Sequence, residues 1–322
     1  MTTSTTYDVA AARTAIQKIA HETPVVATPS LEALVGVPVS LKLESLQVTG
    51  SFKVRGAANR MLALSEDARA RGVVAVSSGN HGRAVAHVAH LLDTPAVICV
   101  PNWVDPVKLA AMRESGAEVV LDGATYDEAE VRSLEIQRER DLTFIDPFDD
   151  PLVIAGQGTI GLELLEQVPE VDVVAVPLSG GGLIGGIAYA LKTARPDVHV
   201  VGVSAARARV MFESLKIGHQ ISMTEEYTVA NALTGGIGTT NKHTLSLVGE
   251  VVDEHVLVDE VDIRRAMAYA ARELKIVVEG GGAVGIAAAL TGKLRAGQHL
   301  AIVVSGGNVD QALLAEVLGE SG

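Results

Sequence analysis

Along the 322-residue chain, short apolar runs rich in β-branched residues alternate with longer stretches of helical periodicity. That order predicts an α/β fold, with mostly parallel sheets flanked by helices on both faces. The runs place strands at residues 73–76, 95–100, 118–121, 171–177, 198–204 and 299–304, and an earlier strand from near Val39 ending at Lys42-Leu43-Glu44. Helical periodicity places helices at 54–64, 83–92, 107–114, 153–167 and 184–194. Turn-forming residues concentrate in Asp146-Pro147-Phe148-Asp149-Asp150-Pro151, between two βα runs, and mark a domain crossover there. Helical sequence from Val9 onward precedes the strand near Val39, so the first residues are expected to pack on the C-terminal half. The predicted division is a discontinuous large cofactor-binding domain, 1–65 with 150–322, and a small domain, 66–149. No repeat of fixed period and no low-complexity linker is present.

Composition narrows the function. Hydrophobic residues make up 48% of the chain, enough for proper cores, and 26 basic against 39 acidic residues leave a net charge of −13. Such a balance argues against nucleic-acid binding, which draws its affinity from basic groups on phosphates. The single cysteine, Cys99, lies in the apolar run Ala96-Val97-Ile98-Cys99-Val100 and reads as a core thiol. The polar start, residues 1–8, lacks a secretory-signal layout, so a cytoplasmic location is the default expectation. The longest apolar stretch, 173–191, is interrupted by Pro177, Ser179 and five glycines, so strand, turn and helix explain it better than a membrane span.

Candidate chemistry starts at Gln47-Val48-Thr49-Gly50-Ser51-Phe52-Lys53-Val54-Arg55-Gly56. Lys53 falls at a predicted helix start, where helix amides and Arg55 are expected to disfavour a second positive charge and lower its pKa. A depressed pKa is what Schiff-base chemistry requires of a lysine. A solvated lysine in a helix-initiating turn is the plain alternative.

Three glycine-rich turns follow predicted strands. Ser77-Ser78-Gly79-Asn80-His81-Gly82 opens a helix with exposed amides and hydroxyls suited to a carboxylate; alternatively it is only a tight βα connection, with His81 a structural histidine. Ser179-Gly180-Gly181-Gly182-Leu183 lets main-chain amides converge on a phosphate. Its Gly180-x-Gly182-x-x-Gly185 spacing also matches the dinucleotide fingerprint, but the next strand ends at Ser204 with Arg207 and Arg209 beyond it. The missing acid disfavours NAD, whereas an arginine leaves NADP open. Ser305-Gly306-Gly307-Asn308 ends the last strand, where a hydroxyl faces the crevice in which α/β sheets bind ligands. Together, one embedded lysine, one phosphate-type loop and two hydroxyl-bearing turns describe pyridoxal 5'-phosphate.

Over nearly its whole length the sequence resembles the fold type II pyridoxal-phosphate enzymes, the two-domain tryptophan synthase β-like fold, in the threonine dehydratase and serine racemase branch. Ser51-Phe52-Lys53 with Arg55-Gly56-Ala57 is similar to the Schiff-base segment, and Ser78-Gly79-Asn80-His81-Gly82 to the substrate-carboxylate loop. Residues 153–159, Val-Ile-Ala-Gly-Gln-Gly-Thr, and 304–310, Val-Ser-Gly-Gly-Asn-Val-Asp, match two further family stretches. The resemblance implies Lys53 as Schiff-base lysine and α-proton base, Phe52 covering one face, and Asn80 on the pyridine 3-hydroxyl. It puts Ser179, Gly180, Gly181, Gly182 and Leu183 around the phosphate, Ser305 at the pyridine nitrogen, and Ser77, Ser78, Gly79, Asn80 and His81 around the substrate carboxylate. Ser78 stands where the branch's racemases carry a second acid or base, so racemase activity stays open. A serine opposite the ring nitrogen suits β-elimination over long-lived carbanion chemistry.

Departures from the pattern matter too. Ser179 replaces a frequent fourth glycine and adds a hydroxyl, and Asn231 stands where relatives are often acidic. Acids of a divalent-cation site are missing near Ser204 and Arg209-Val210, so no metal is expected. Motif detail is nearest to the hydroxyectoine-utilisation dehydratases. The implied function is dehydration and deamination of a β-hydroxy-α-amino acid such as L-threonine or L-serine, or of a hydroxylated diamino acid from hydroxyectoine breakdown, by a homodimer. The competing readings are an NADP-dependent oxidoreductase, which leaves Lys53 unexplained, and a catalytically silent pyridoxal-phosphate carrier.

Overall fold

The computed structural model of the protein describes residues 6–77, 79–102, 112–238, 240–295 and 297–320. In chain order its elements are α1 (Val9–Ile16), β1 (Val25–Ala27), α2 (Pro29–Val35), β2 (Val39–Leu43), α3 (Lys53–Leu62), α4 (Glu66–Arg71), β3 (Val73–Val76), α5 (Asn80–Leu91), β4 (Ala96–Val100) and β5 (Glu118–Leu121). There follow α6 (Tyr126–Arg140), β6 (Thr143–Phe144), α7 (Pro151–Gln167), β7 (Val173–Pro177), α8 (Gly182–Ala194), β8 (His199–Ala205), α9 (Val210–Ile217) and α10 (Thr244–Val251). The chain continues with β9 (Glu254–Val258), α11 (Glu260–Arg272), α12 (Gly280–Leu290), β10 (Leu300–Val304) and α13 (Gln311–Glu320).

These strands form two sheets. The six-stranded sheet runs β1-β2-β10-β7-β8-β9 and the four-stranded sheet β5-β4-β3-β6. Every pair is parallel except β1 with β2, as the unbroken apolar runs require of strands covered on both faces. β2, β3, β4, β7 and β10 are buried along their whole length. The strands of the small sheet all lie between residues 73 and 144.

All six strands expected from the apolar runs are present within two residues of the expected bounds. The helix expected at 107–114 falls mostly outside the described residues. Three strands had no distinct signal: β1 is three residues long, β6 two, and β9 carries Glu254 and His255 at an edge position.

Register explains how distant motifs meet. β2 and β10 are parallel neighbours with Leu43 opposite Val304, so the segments leaving both strands run side by side. Ser51 and Gly306 form an isolated antiparallel bridge, the Phe52 amide donates to the Ser305 carbonyl at 3.1 Å, and the Gly307 amide to the Gly50 carbonyl at 2.9 Å. The lysine segment is thereby stitched to the turn that closes the last strand.

Candidate active site

Lys53 is the first residue of α3, and its Nζ donates to the Pro147 carbonyl at 2.8 Å, with the Phe52 ring centroid 5.2 Å away. Burial lowers its pKa from 10.5 to about 8, while the charges of Asp146 and Glu279 push it back up. The low pKa was expected, but the cause differs from the expected one. Arg55 points away from the lysine into a buried ion cluster, where Nε and Nη2 bond Glu44 at 2.8 Å and Nη1 bonds Glu163 at 2.5 Å. Lys42 Nζ reaches Glu163 from the other side at 2.5 Å. Two cations and two carboxylates thus satisfy each other behind the site, and burial, not Arg55, is what lowers the Lys53 pKa.

Facing Lys53 across a cavity is the loop between β7 and α8. Gly181 has φ +88°, a conformation glycine adopts without strain, and it caps α8. A Cβ at Gly180 would lie 2.5 Å from the Phe148 ring, and one at Gly182 2.7 Å from the Phe148 carbonyl oxygen. Phe148 therefore packs against the loop so closely that only glycines fit. The first amides of α8 have no partner within their own helix and make a site for an anion. Ser179 does not add its hydroxyl to that set, because Oγ donates to the Leu233 carbonyl at 2.9 Å.

The turn after β3 forms a second wall. Ser77 Oγ accepts from the Gly79 amide at 3.1 Å, and Asn80 begins α5. Ser78 lies outside the described residues. His81 is buried with Nε2 against the Ile145 carbonyl at 2.9 Å, and burial, followed by the charge of Lys53, lowers its pKa to about 3. Its imidazole is a neutral tie between α5 and the end of the small sheet, so what it offers a carboxylate is its backbone amide. Ser305, at the end of β10, is buried, and its Oγ has only a 3.5 Å contact with the Gly281 carbonyl, at the limit of a hydrogen bond. Leu183 and Asn231 also line the cavity.

The cavity thus gathers Phe52, Lys53, Ser77, Gly79, Asn80, His81, the Ser179–Leu183 loop, Asn231 and Ser305 from segments spread over most of the chain. It also contains residues that the sequence did not single out for chemistry. Pro147 contributes a backbone oxygen, which no side-chain pattern reveals. Arg83 and Glu279 also line the cavity, as does Asn308 of the Ser305–Asn308 turn, to which the sequence assigned no role of its own. Glu279 stands directly before Gly280-Gly281-Gly282, and an acid opening a glycine-rich helix start was the one readable signal.

Comparison with known proteins shows the family of the chain. A family model described as pyridoxal-phosphate dependent enzyme matches residues 16–306. The chain belongs to this family. It is 40% identical over 311 residues to the L-threonine ammonia-lyase of Thermotoga maritima, covering 97% of this chain and 77% of that protein. It is 38% identical over 316 residues to the catabolic L-threonine dehydratase of Staphylococcus aureus, covering 97% and 91%. The structure of maize serine racemase superposes with a TM-score of 0.91 at 36% identity, covering 98% of this chain and 96% of that one. Family membership removes the NADP reading: the two arginines invoked for a 2′-phosphate are engaged locally, Arg207 with the Tyr227 carbonyl at 3.0 Å and Arg209 with the Ala206 carbonyl and Glu213.

Pyridoxal phosphate fits the residues present. The loop at the α8 N-terminus has no acid to repel a phosphate, its glycines leave no room for side chains, and a desolvated amine of low pKa faces it. Ser179 to Leu183 would hold the phosphate, Lys53 would carry the aldehyde carbon, and Asn80 and Ser305, which line the same cavity, would face the ring. Among the described residues no group of three or more metal-ligating side chains occurs, and no helix is long and apolar enough to cross a membrane.

Proposed function

We propose that this pyridoxal-phosphate enzyme dehydrates and deaminates a β-hydroxy-α-amino acid, such as L-threonine or L-serine, or a hydroxylated diamino acid from hydroxyectoine breakdown. The observation that carries the reading is Lys53, an amine of pKa about 8, facing both the glycine loop and the turn at the start of α5. Bound pyridoxal phosphate supplies an electron sink for the substrate α-carbon. The protein then has to orient the substrate, move one proton and leave the β-hydroxyl free to depart.

Amides of the Ser77–His81 turn, at the positive end of α5, orient the substrate carboxylate. Lys53 removes the α-proton; near neutral pH enough of it is unprotonated to act as a base, and the Pro147 carbonyl keeps its Nζ in place. Ser305 presents a neutral hydroxyl at the end of β10 and no carboxylate, which favours prompt loss of the β-substituent. The α-proton and the β-hydroxyl leave as water, and hydrolysis of the released enamine consumes one water to give a 2-oxo acid and ammonia.

The test is ammonia and 2-oxo acid release, in equal amounts, from serine, threonine, hydroxyaspartate and hydroxylated diaminobutyrate. Release from at least one of them, abolished in Lys53→Ala, is the expected result. Pyridoxal-phosphate-loaded protein that releases ammonia from none of them would be a silent carrier. The likeness to maize serine racemase gives a second reading, racemisation, which chiral chromatography of the unreacted amino acid separates from elimination. The family resemblance supports a homodimer, to be checked by light scattering.

A further inference from the structure

Along one wall of the cavity a line of hydrogen bonds leads from a guanidinium to a carboxylate. Arg83 Nη1 donates to Asn308 Oδ1 at 3.0 Å, Asn308 Nδ2 donates to Asn80 Oδ1 at 2.7 Å, and Asn80 Nδ2 donates to Glu279 Oε1 at 2.6 Å. Asn308 Nδ2 also reaches the Thr49 carbonyl at 2.9 Å, beside the lysine segment. All four side chains line the cavity.

The arginine and the Thr49 carbonyl together set the direction of the line. A guanidinium can only donate, so Asn308 must accept with Oδ1 and give with Nδ2. Asn80 must then accept with Oδ1 and give with Nδ2, which points its donor at Glu279. An amide alone has two nearly equivalent orientations, and this line leaves Asn80 only one. Backbone packing protects both ends. A Cβ at Gly50, where φ is +74°, would run into the Asn308 amide, and a Cβ at Gly306 would run into the Glu279 carboxyl. Among the described residues no carboxylate forms an ion pair with Arg83, and its hydrogen-bond line reaches Glu279 through the two amides.

We propose that Arg83 and Asn308 are positioning residues that hold Asn80 as an obligate donor toward the cofactor ring. One N–H of Asn80 Nδ2 goes to Glu279, and the second is left for an oxygen acceptor in the cavity. The inference rests on the pyridoxal-phosphate reading of the site, in which that acceptor is the ring hydroxyl oxygen. A donor facing this oxygen favours its ionised form, whereas an inverted Asn80 would present Oδ1 and favour the protonated form. The line from Arg83 therefore selects the ionisation state of the cofactor, which is visible in absorbance: the ionised form absorbs near the visible edge and the protonated form in the near ultraviolet.

The decisive variant is Asn308→Asp, which is isosteric, keeps an acceptor for Arg83 and can no longer donate to Asn80. The expected result is a shift of absorbance from the visible-edge band to the near-ultraviolet band. Titration of the apoprotein with pyridoxal phosphate should show roughly tenfold weaker binding, the scale of one lost hydrogen bond to a charged group. Arg83→Met, at a part-exposed position, should move both readouts the same way, and Arg83→Lys, which keeps a donor-only cation, should move them less. In an Asn80→Ala background neither Asn308→Asp nor Arg83→Met should have a further effect. Wild-type spectrum and affinity in both variants, or an undiminished effect without Asn80, would overturn the proposal. If wild-type protein supplemented with pyridoxal phosphate shows no Lys53-dependent band, the reading of the site fails instead.

Discussion

At Lys53, burial disfavours the ammonium form more strongly than Asp146 and Glu279 restore it, so the amine titrates at about 8 instead of 10.5. Near neutral pH this leaves roughly 300-fold more free amine than an ordinary lysine would offer. Capture of pyridoxal phosphate by the apoprotein should therefore speed up with rising pH and level off above about 8. Stopped-flow absorbance checks it, and a rise that continues unchanged toward 10.5 would refute the assignment. The same shift has a stability consequence. Between about 8 and 10.5 the unfolded chain holds a proton on Lys53 that the folded chain has released, so this group makes stability rise with pH across that window. Below about 8 both states are protonated and the burial penalty is felt in full; urea unfolding at both ends of the window should show the rise in wild type and lose it in Lys53→Met.

This residue also marks how far the sequence could be read. Its place at a helix start between glycines was legible, because backbone constraints leave a local mark. The role given to Arg55 was not, because the direction of a side chain depends on partners such as Glu163, 108 residues away in sequence. Asn80 and Asn308 each stood in a readable motif, yet their bond crosses 228 residues and nothing local announced it.

The helices α7 and α8 pack along one another, and α8 begins at the glycine loop that lines the cavity. Their backbones touch through glycines: a Cβ at Gly186 would run into the Ile154 carbonyl and lie 2.8 Å from the Gly158 amide, and one at Gly161 would lie 2.8 Å from the Ile187 carbonyl. Backbone atoms cannot swing aside as a side-chain tip can. Gly186→Ala should therefore force the helices apart and cost about 1–3 kcal/mol, the usual range for overpacking a filled core. Denaturant unfolding of the apoprotein checks the cost. If stability is unchanged, the pair tolerates more separation than the close approach implies. From sequence Gly158 read as part of a family stretch and Gly186 as one of the glycines interrupting an apolar run; the reason for them lies in a facing backbone, which no single segment reveals. Strand β9 escaped notice for a related reason, since an edge position lets Glu254 and His255 interrupt the apolar pattern that marked the buried strands.

At the scale of the molecule, the cavity lies where two sheets present the C-terminal ends of their strands. The glycine loop follows β7 and the Ser305 turn follows β10 of the larger sheet, while the turn with Asn80 follows β3 of the smaller one. We propose that the division read from the sequence, 66–149 against the rest, describes two units that the cofactor joins. Phosphate amides on one side and Asn80 on the other would then be occupied by one molecule, and binding energy would stabilise both units together. At a free cofactor concentration about 100 times Kd the gain is about 2.7 kcal/mol. Calorimetry should show one unfolding transition moved upward by pyridoxal phosphate, and hydrogen exchange should show slower opening at the starts of both α5 and α8. Lys53→Ala retains the amides and Asn80, so part of that protection should persist in it without the covalent link. Protection confined to the larger sheet, with α5 unchanged, would show that the smaller unit takes no part in holding the cofactor and would remove Asn80 from the site.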